Sequence, residues 1–206
     1  MKLMSVDQSL SHCAVVVWEG DKPSSKHMIC TGSTRSKGKQ KPNVAYFDSV
    51  TEQILYIAEK ILHLSKEHGC DTYVMEELSF GSLGNATRDL AGLFYCIQML
   101  FMLNEDSGGP TSYLNCIPPT SVKSFAREFL PEEERVVMNK RVDKKTGKTV
   151  YSKGKLVMKK PEMVRAVECA EPGFLDGITL TAGKADYADA YLIGKAYIER
   201  QGVSSP

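Results

Sequence analysis

A helix between two short apolar strands is the feature that most restricts what this chain can fold into. The first apolar run ends at Asp7 and the second at Glu76. Between them, Ser49 begins a capping box, and apolar residues then recur at helical spacing until Gly69. A helix that joins two buried strands favours parallel pairing of those strands. We therefore expect Asp7 and Glu76 to lie at the same edge of a sheet.

The remaining apolar runs extend this sheet and supply helices. Residues 13–18 follow the first strand after a short turn and predict an antiparallel hairpin with it, and further strands are predicted at 27–31 and 112–117. Helical patterns cover 85–103, 120–129, 161–170 and the region after 184. The sequence thus predicts an α/β fold, with a mixed five-stranded sheet and helices on both faces.

Composition limits the classes of protein to which the chain can belong. Its 206 residues, 42% of them hydrophobic, are enough for one domain spanning 1–206 with one good core. The six cysteines form no C-x-x-C pair and no zinc-like spacing. No signal-peptide pattern or membrane-crossing run is present, so we expect an intracellular, cytoplasmic protein without a membrane partner.

The net charge of +1 means that any electropositive surface must be local, and one such concentration exists. Residues 135–158 predict two strands around the turn 143–147, and we call this segment the basic hairpin. Between 140 and 160 the only acid is Asp143, against nine bases: Lys140, Arg141, Lys144, Lys145, Lys148, Lys153, Lys155, Lys159 and Lys160. The basic hairpin could bind DNA phosphates, and a solvated, flexible loop without a ligand is an equal alternative.

Two more acids, Asp186 and Asp189, lie three residues apart at the start of the last predicted helix and so share one face. Taken alone, acids in a first turn simply suit the helix dipole. If Asp7 and Glu76 lie beside them, a structural role at the helix start no longer explains these acids. Four carboxylates in one pocket repel one another unless cations neutralise them. Oxygen-rich sites suit Mg²⁺ or Mn²⁺, and two such ions can promote phosphodiester hydrolysis.

The order of these motifs resembles the RuvC-type Holliday-junction resolvases of the ribonuclease H superfamily. The resemblance covers most of the chain and implies a ribonuclease H-like fold with Asp7, Glu76, Asp186 and Asp189 as catalytic metal ligands. It implies two Mg²⁺ ions per site, with Mn²⁺ as a substitute, and a water nucleophile that leaves a 5′ phosphate. Lys123 and Lys160 match the positions of two family lysines and would face the scissile phosphate. Glu77 is the rival of Glu76, but strand alternation lets only one of them point inward.

The sequence also departs from the family pattern. Gln8 and Ser9 replace the usual Pro-Gly-Ser type of turn, and the basic hairpin lies where the family has a short connection. The second departure suggests a viral or otherwise divergent member with its own DNA-gripping arm, which would act in the host cytoplasm if it is viral. Phe80 lies one position from the family's junction-wedging aromatic, with an ordinary loop anchor as the equal alternative. The predicted DNA-binding residues are Phe80, Lys140, Arg141, Lys144, Lys145 and Lys148.

The implied partner is branched DNA, cut by a homodimer. Residues 87–103 are apolar on more than one side, which indicates a helix shared with a second copy or one buried within its own subunit. Sugar kinases and actin-like ATPases are disfavoured, because no Gly-rich turn follows Asp7. A less selective flap, branch or single-strand nuclease stays open as an alternative, as does a non-catalytic DNA-binding module.

Overall fold

A computed structural model describes residues 1–35, 40–78, 85–104, 114–142 and 149–202. The strands are β1 (Lys2–Asp7), β2 (His12–Glu19), β3 (Lys22–Ser33), β4 (Ala45–Phe47), β5 (Thr72–Glu76), β6 (Leu114–Ile117), β7 (Val136–Val142) and β8 (Thr149–Lys155). The helices are α1 (Val50–His68), α2 (Asn85–Leu103), α3 (Pro119–Arg127), α4 (Lys160–Ala170) and α5 (Lys184–Arg200).

The first six strands form one mixed sheet in the order β4-β3-β2-β1-β5-β6. Strands β1, β2 and β3 pair antiparallel, whereas β5 pairs parallel with β1 and β6 pairs parallel with β5. The α/β fold predicted from the sequence is confirmed. The five expected strands are all present, and the three-residue β4 adds a short parallel partner to the end of β3.

The capping box predicted for α1 is present and sets where the helix begins. The Ser49 hydroxyl accepts from the Glu52 amide at 3.2 Å, and the Glu52 carboxylate accepts from the Ser49 amide at 3.3 Å. The helix ends at Gly69, whose φ of 62° is the left-handed conformation that glycine adopts most easily. From there the chain turns directly into β5, so α1 and β5 follow each other as the sequence indicates.

Helices cover both faces of the sheet. Helices α1 and α2 pack on one face with the even-numbered core residues Met4 and Val6 of β1. Helices α3, α4 and α5 pack on the other face with Leu3. Because successive strand residues point to opposite faces, Asp7 belongs on the side of α5.

Helix α5 lies unusually close to β1 and β2 because of Gly194. A Cβ atom at this position would overlap the Trp18 indole and lie 2.6 Å from the Ser5 hydroxyl, whereas hydrogen alone fits. The Trp18 indole N–H in turn donates to that hydroxyl at 2.9 Å, and the Tyr191 ring lies 5.0 Å from the Trp18 ring. This close packing fixes the first turn of α5 beside the end of β1.

Strands β7 and β8 form a separate two-stranded antiparallel sheet, as predicted for the basic hairpin. Its predicted turn lies outside the described residues. Within the described part of the chain, no helix combines the length and apolar composition needed to cross a membrane.

Candidate active site

The four predicted acids are carried by three elements that meet at one end of the sheet. Asp7 ends β1, Glu76 ends β5, and Asp186 and Asp189 lie in the first two turns of α5. Parallel pairing of Val6 with Met75 brings the two strand ends side by side. All four side chains are partly buried.

Burial raises the pKa values of three of these acids, and repulsion by neighbouring carboxylates adds to the shift at Asp7 and Asp189. The pKa of Asp7 is raised well above its usual value, first by burial and then by the charges of Asp189, Glu76 and Asp186. Burial, followed by the charge of Glu76, raises the pKa of Asp189 to about 7. The pKa of Glu76 is also raised by burial. Ionising all four carboxyl groups at neutral pH is therefore unfavourable in free energy.

Both predicted lysines lie beside these acids. The Lys160 ammonium donates to the Asp186 carboxylate at 2.8 Å, and this hydrogen bond is the main cause that raises the pKa of Lys160. Lys123 is exposed on α3, and its charge lowers the pKa of Glu76 and of Asp189. The two cations thus approach the acids from different helices.

Of the two consecutive glutamates, Glu76 is the one that faces the other acids. Its charge raises the pKa of Asp7 and of Asp189. Glu77 instead lies near Cys116 on β6, where burial and then the charge of Glu77 raise the pKa of the thiol. This difference follows the alternation of side chains along an extended chain.

Gln8 was not among the predicted site residues, yet it joins the two acid-bearing strand ends. Its amide nitrogen donates to the Glu76 carbonyl oxygen at 2.6 Å, and the residue is only 8% exposed. Its side-chain oxygen is buried and accepts no hydrogen bond within the described part of the chain. The sequence gives one signal for this role, a glutamine directly after the first acid. It does not show which carbonyl group this glutamine contacts.

The donor chemistry of the four acids fits a hard divalent cation, because Mg²⁺ and Mn²⁺ prefer carboxylate oxygen. The raised pKa values of Asp7 and Asp189 indicate that added positive charge would be favourable there. In the residues described, however, no three His, Cys, Asp or Glu side chains are arranged as a group that could hold a metal ion. The donor types fit, but the arrangement is not a preformed metal cage.

The structure describes only two of the six predicted DNA-binding residues. Phe80, Lys144, Lys145 and Lys148 lie outside the described residues. Lys140 is exposed on β7. Arg141 is placed only by its backbone, opposite Val150 of β8. Their contacts with DNA stay predictions.

No protein-family model and no curated protein matches the chain. Solved structures do match it. Thermus thermophilus RuvC in complex with a Holliday-junction substrate aligns with a TM-score of 0.57 at 13% identity, covering 98% of this chain and 97% of that one. Another Thermus thermophilus RuvC structure aligns with the same TM-score and identity, covering 98% of each chain.

The yeast mitochondrial Holliday-junction resolvase Ydc2 aligns with a TM-score of 0.58 at 12% identity, covering 98% of this chain and 79% of that one. These likenesses extend over nearly the whole chain. The chain therefore has the ribonuclease H-like fold of the RuvC-type Holliday-junction resolvases.

Proposed function

We propose that this protein is a metal-dependent endonuclease that resolves four-way and other branched DNA by phosphodiester hydrolysis. The observation that carries the proposal is the meeting of Asp7, Glu76, Asp186 and Asp189, whose burial and repulsion raise the pKa values of Asp7 and Asp189. An acid pocket of this kind is costly for folding unless it binds cations. Two bound Mg²⁺ ions would supply charge neutralisation and a more acidic water nucleophile.

The acids and lysines of the site have separate roles in this reaction. The four carboxylates would hold the ions. Lys160 and Lys123 contact the non-bridging oxygens of the scissile phosphate, where fixed positive charge stabilises the transition state. The Lys160 side chain is 67% exposed, so its ammonium can turn from Asp186 toward a phosphate without crossing the core.

Support for DNA as the substrate comes from two observations. A structure of the same fold, that of Thermus thermophilus RuvC, is bound to a Holliday junction. The basic hairpin adds four bases and no acid in its two strands, which gives the surface a local excess of positive charge. Lysine and arginine side chains on such a surface bind phosphates through release of condensed counterions.

We further propose that two copies associate through α2. One side of this helix exposes four large apolar side chains in a single stripe, with exposed fractions between 57% and 69%: Tyr95, Met99, Met102 and Leu103. A second copy that packs on this stripe would bury it, and the dimer would carry two nuclease sites for two strands of one junction.

The decisive test is cleavage of labelled four-way, flap, duplex and single-stranded DNA with Mg²⁺, Mn²⁺ or chelator. We expect Asp7→Asn and Asp189→Asn to remove cleavage of the four-way substrate while binding in chelator persists. The control is Asp176→Asn, which changes an exposed turn carboxylate away from the site and should cut normally. Full Mg²⁺-dependent cutting by either site variant would reject the assignment. Equal cutting of all four DNAs would favour the less selective nuclease.

A further inference from the structure

The two faces of the basic hairpin differ in chemistry. Residues that are directly opposite in an antiparallel pair project to the same face. The register of β7 and β8 therefore gathers three pairs on one face, each with one lysine and one apolar or aromatic residue: Val136 with Lys155, Met138 with Lys153, and Lys140 with Tyr151. We call this set the mixed face.

The opposite face carries smaller or polar groups in its described part. It includes the pairs Val137 with Gly154 and Asn139 with Ser152. The Asn139 side chain lies over Gly154, where any added Cβ would meet its amide nitrogen. Among the side chains that the structure describes in the two strands, the aromatic ring and the thioether both belong to the mixed face.

The mixed face is open to solvent. Tyr151 is 61% exposed, Met138 is 60% exposed and Val136 is 47% exposed, and all three lysines are exposed as well. Neither strand contains an acid that could pair with these lysines. An aromatic ring and a thioether held in water beside cations that have no ion-pair partner among the described residues are a cost unless a ligand covers them.

The combination of exposed lysines with an exposed aromatic ring favours a particular kind of ligand. Lysines alone are sufficient to contact the phosphates of a duplex, whose base faces are stacked and inaccessible. A flat ring between lysines instead suits an unpaired strand, because its bases offer open faces for stacking and its phosphates pair with the cations. A membrane surface or an acidic peptide would use the lysines but gives no reason for an aromatic ring directly opposite Lys140 and next to Lys153.

We propose that the mixed face binds an unpaired DNA strand, with a base stacked on Tyr151 and the adjoining phosphates on Lys140 and Lys153. This inference rests on the proposed function, since it takes DNA as the substrate and names the part of branched DNA that the hairpin holds. It assigns to this chain a single-strand subsite on a segment outside the acid pocket.

The test compares binding of a short labelled oligothymidine with binding of a duplex of equal length. Affinities are measured by fluorescence anisotropy with the full chain in chelator, so that no cutting occurs. Tyr151→Ala should weaken oligothymidine binding by about 5- to 150-fold, because one stacking contact is lost, and should leave duplex binding nearly unchanged. Tyr151→Phe should retain the affinity. Ser152→Ala, on the opposite face of the same strand, is the matched control and should behave as the parent.

The lysines give an independent readout. Lys153→Gln should reduce the slope of log affinity against log salt for oligothymidine by about 0.7, the value for one lost phosphate contact on a single strand. The inference is overturned if Tyr151→Ala weakens both DNAs equally or neither. It is also overturned if vesicles of anionic lipid bind through Tyr151 while oligothymidine does not.

The same experiments separate this inference from the proposed function. Cleavage of a four-way junction with Mg²⁺ is measured for every variant in parallel. Tyr151-dependent binding of oligothymidine by a protein that never cuts DNA would reject the nuclease and keep the single-strand subsite. Normal cutting without any Tyr151 dependence of binding would reject only the subsite.

Discussion

Replacing Asp189 by asparagine should make the metal-free protein more stable while it removes activity. Asp189 has a pKa of about 7 in the folded chain, against 3.8 for an unperturbed aspartate. A tenfold change in proton affinity corresponds to about 1.4 kcal/mol, so ionising this group at pH 8 costs the folded state about 4 kcal/mol relative to the unfolded chain. The amide in Asp189→Asn avoids this cost but is itself partly buried, so we expect a net gain of about 1–3 kcal/mol.

The sign of the pH dependence follows from the direction of the pKa shift. Because the folded state holds the proton on Asp189 more tightly than the unfolded state does, the wild-type protein should gain stability as pH falls from about 8 through 7 toward 4. The advantage of Asp189→Asn over wild type should therefore fall by about 4 kcal/mol between pH 8 and pH 4 and change sign, so that the wild type is the more stable protein near pH 4. Added Mg²⁺ should stabilise the wild type and leave the variant nearly unaffected.

The assay is urea unfolding in chelator, followed by the fluorescence of Trp18. This is the single tryptophan of the chain and is fully buried, so its emission reports on the core between β2 and α5. Asp176→Asn serves as the control, because that carboxylate is exposed and its charge is not among those that shift the pKa values of Asp7, Glu76 and Asp189. A variant less stable than wild type at pH 8, or a stability difference that does not change with pH, would refute the reasoning.

Three further predictions test the lysine, the interface and the core. Lys160→Gln removes the ammonium beside Asp186 and should slow junction cleavage about 100-fold with little change in junction affinity, as single-turnover rates and anisotropy would show; a normal rate would exclude Lys160 from the site. Tyr95→Glu should sediment as a monomer at micromolar concentration, whereas Leu180→Glu, at an exposed position off α2, should remain dimeric; identical behaviour would argue against the α2 interface. Gly194→Ala should lower the free energy of unfolding by about 1–3 kcal/mol, since its Cβ overlaps the indole; an unchanged melting temperature would contradict the close packing of α5.

The convergence of the acids could be anticipated because each one follows a recognisable element. Asp7 and Glu76 come directly after apolar strands joined by a helix, and parallel pairing alone brings such strand ends together. Asp186 and Asp189 share a helix face through their spacing. The sequence could not show how close the four carboxylates come, because that depends on the packing distance of α5, which a buried glycine and tryptophan set.

Other features depended on contacts that periodicity does not encode. The hydrogen bond from Gln8 to the Glu76 carbonyl joins residues far apart in the chain, and alternation predicts only the face to which Gln8 points. The mixed face likewise depends on strand register. A shift of one residue between β7 and β8 would place Tyr151 opposite a different residue. The mixed face therefore cannot be predicted without the strand pairing.

The shortness of β4 has a consequence for how copies of this chain can meet. It pairs only with Thr31–Ser33, so in the described part of the chain the rest of β3 is an open sheet border. That border begins with Lys22 and Pro23, and proline has no amide hydrogen to offer an incoming strand. An incoming strand therefore lacks a hydrogen-bond donor near the start of this border, which discourages edge-to-edge pairing of two molecules there.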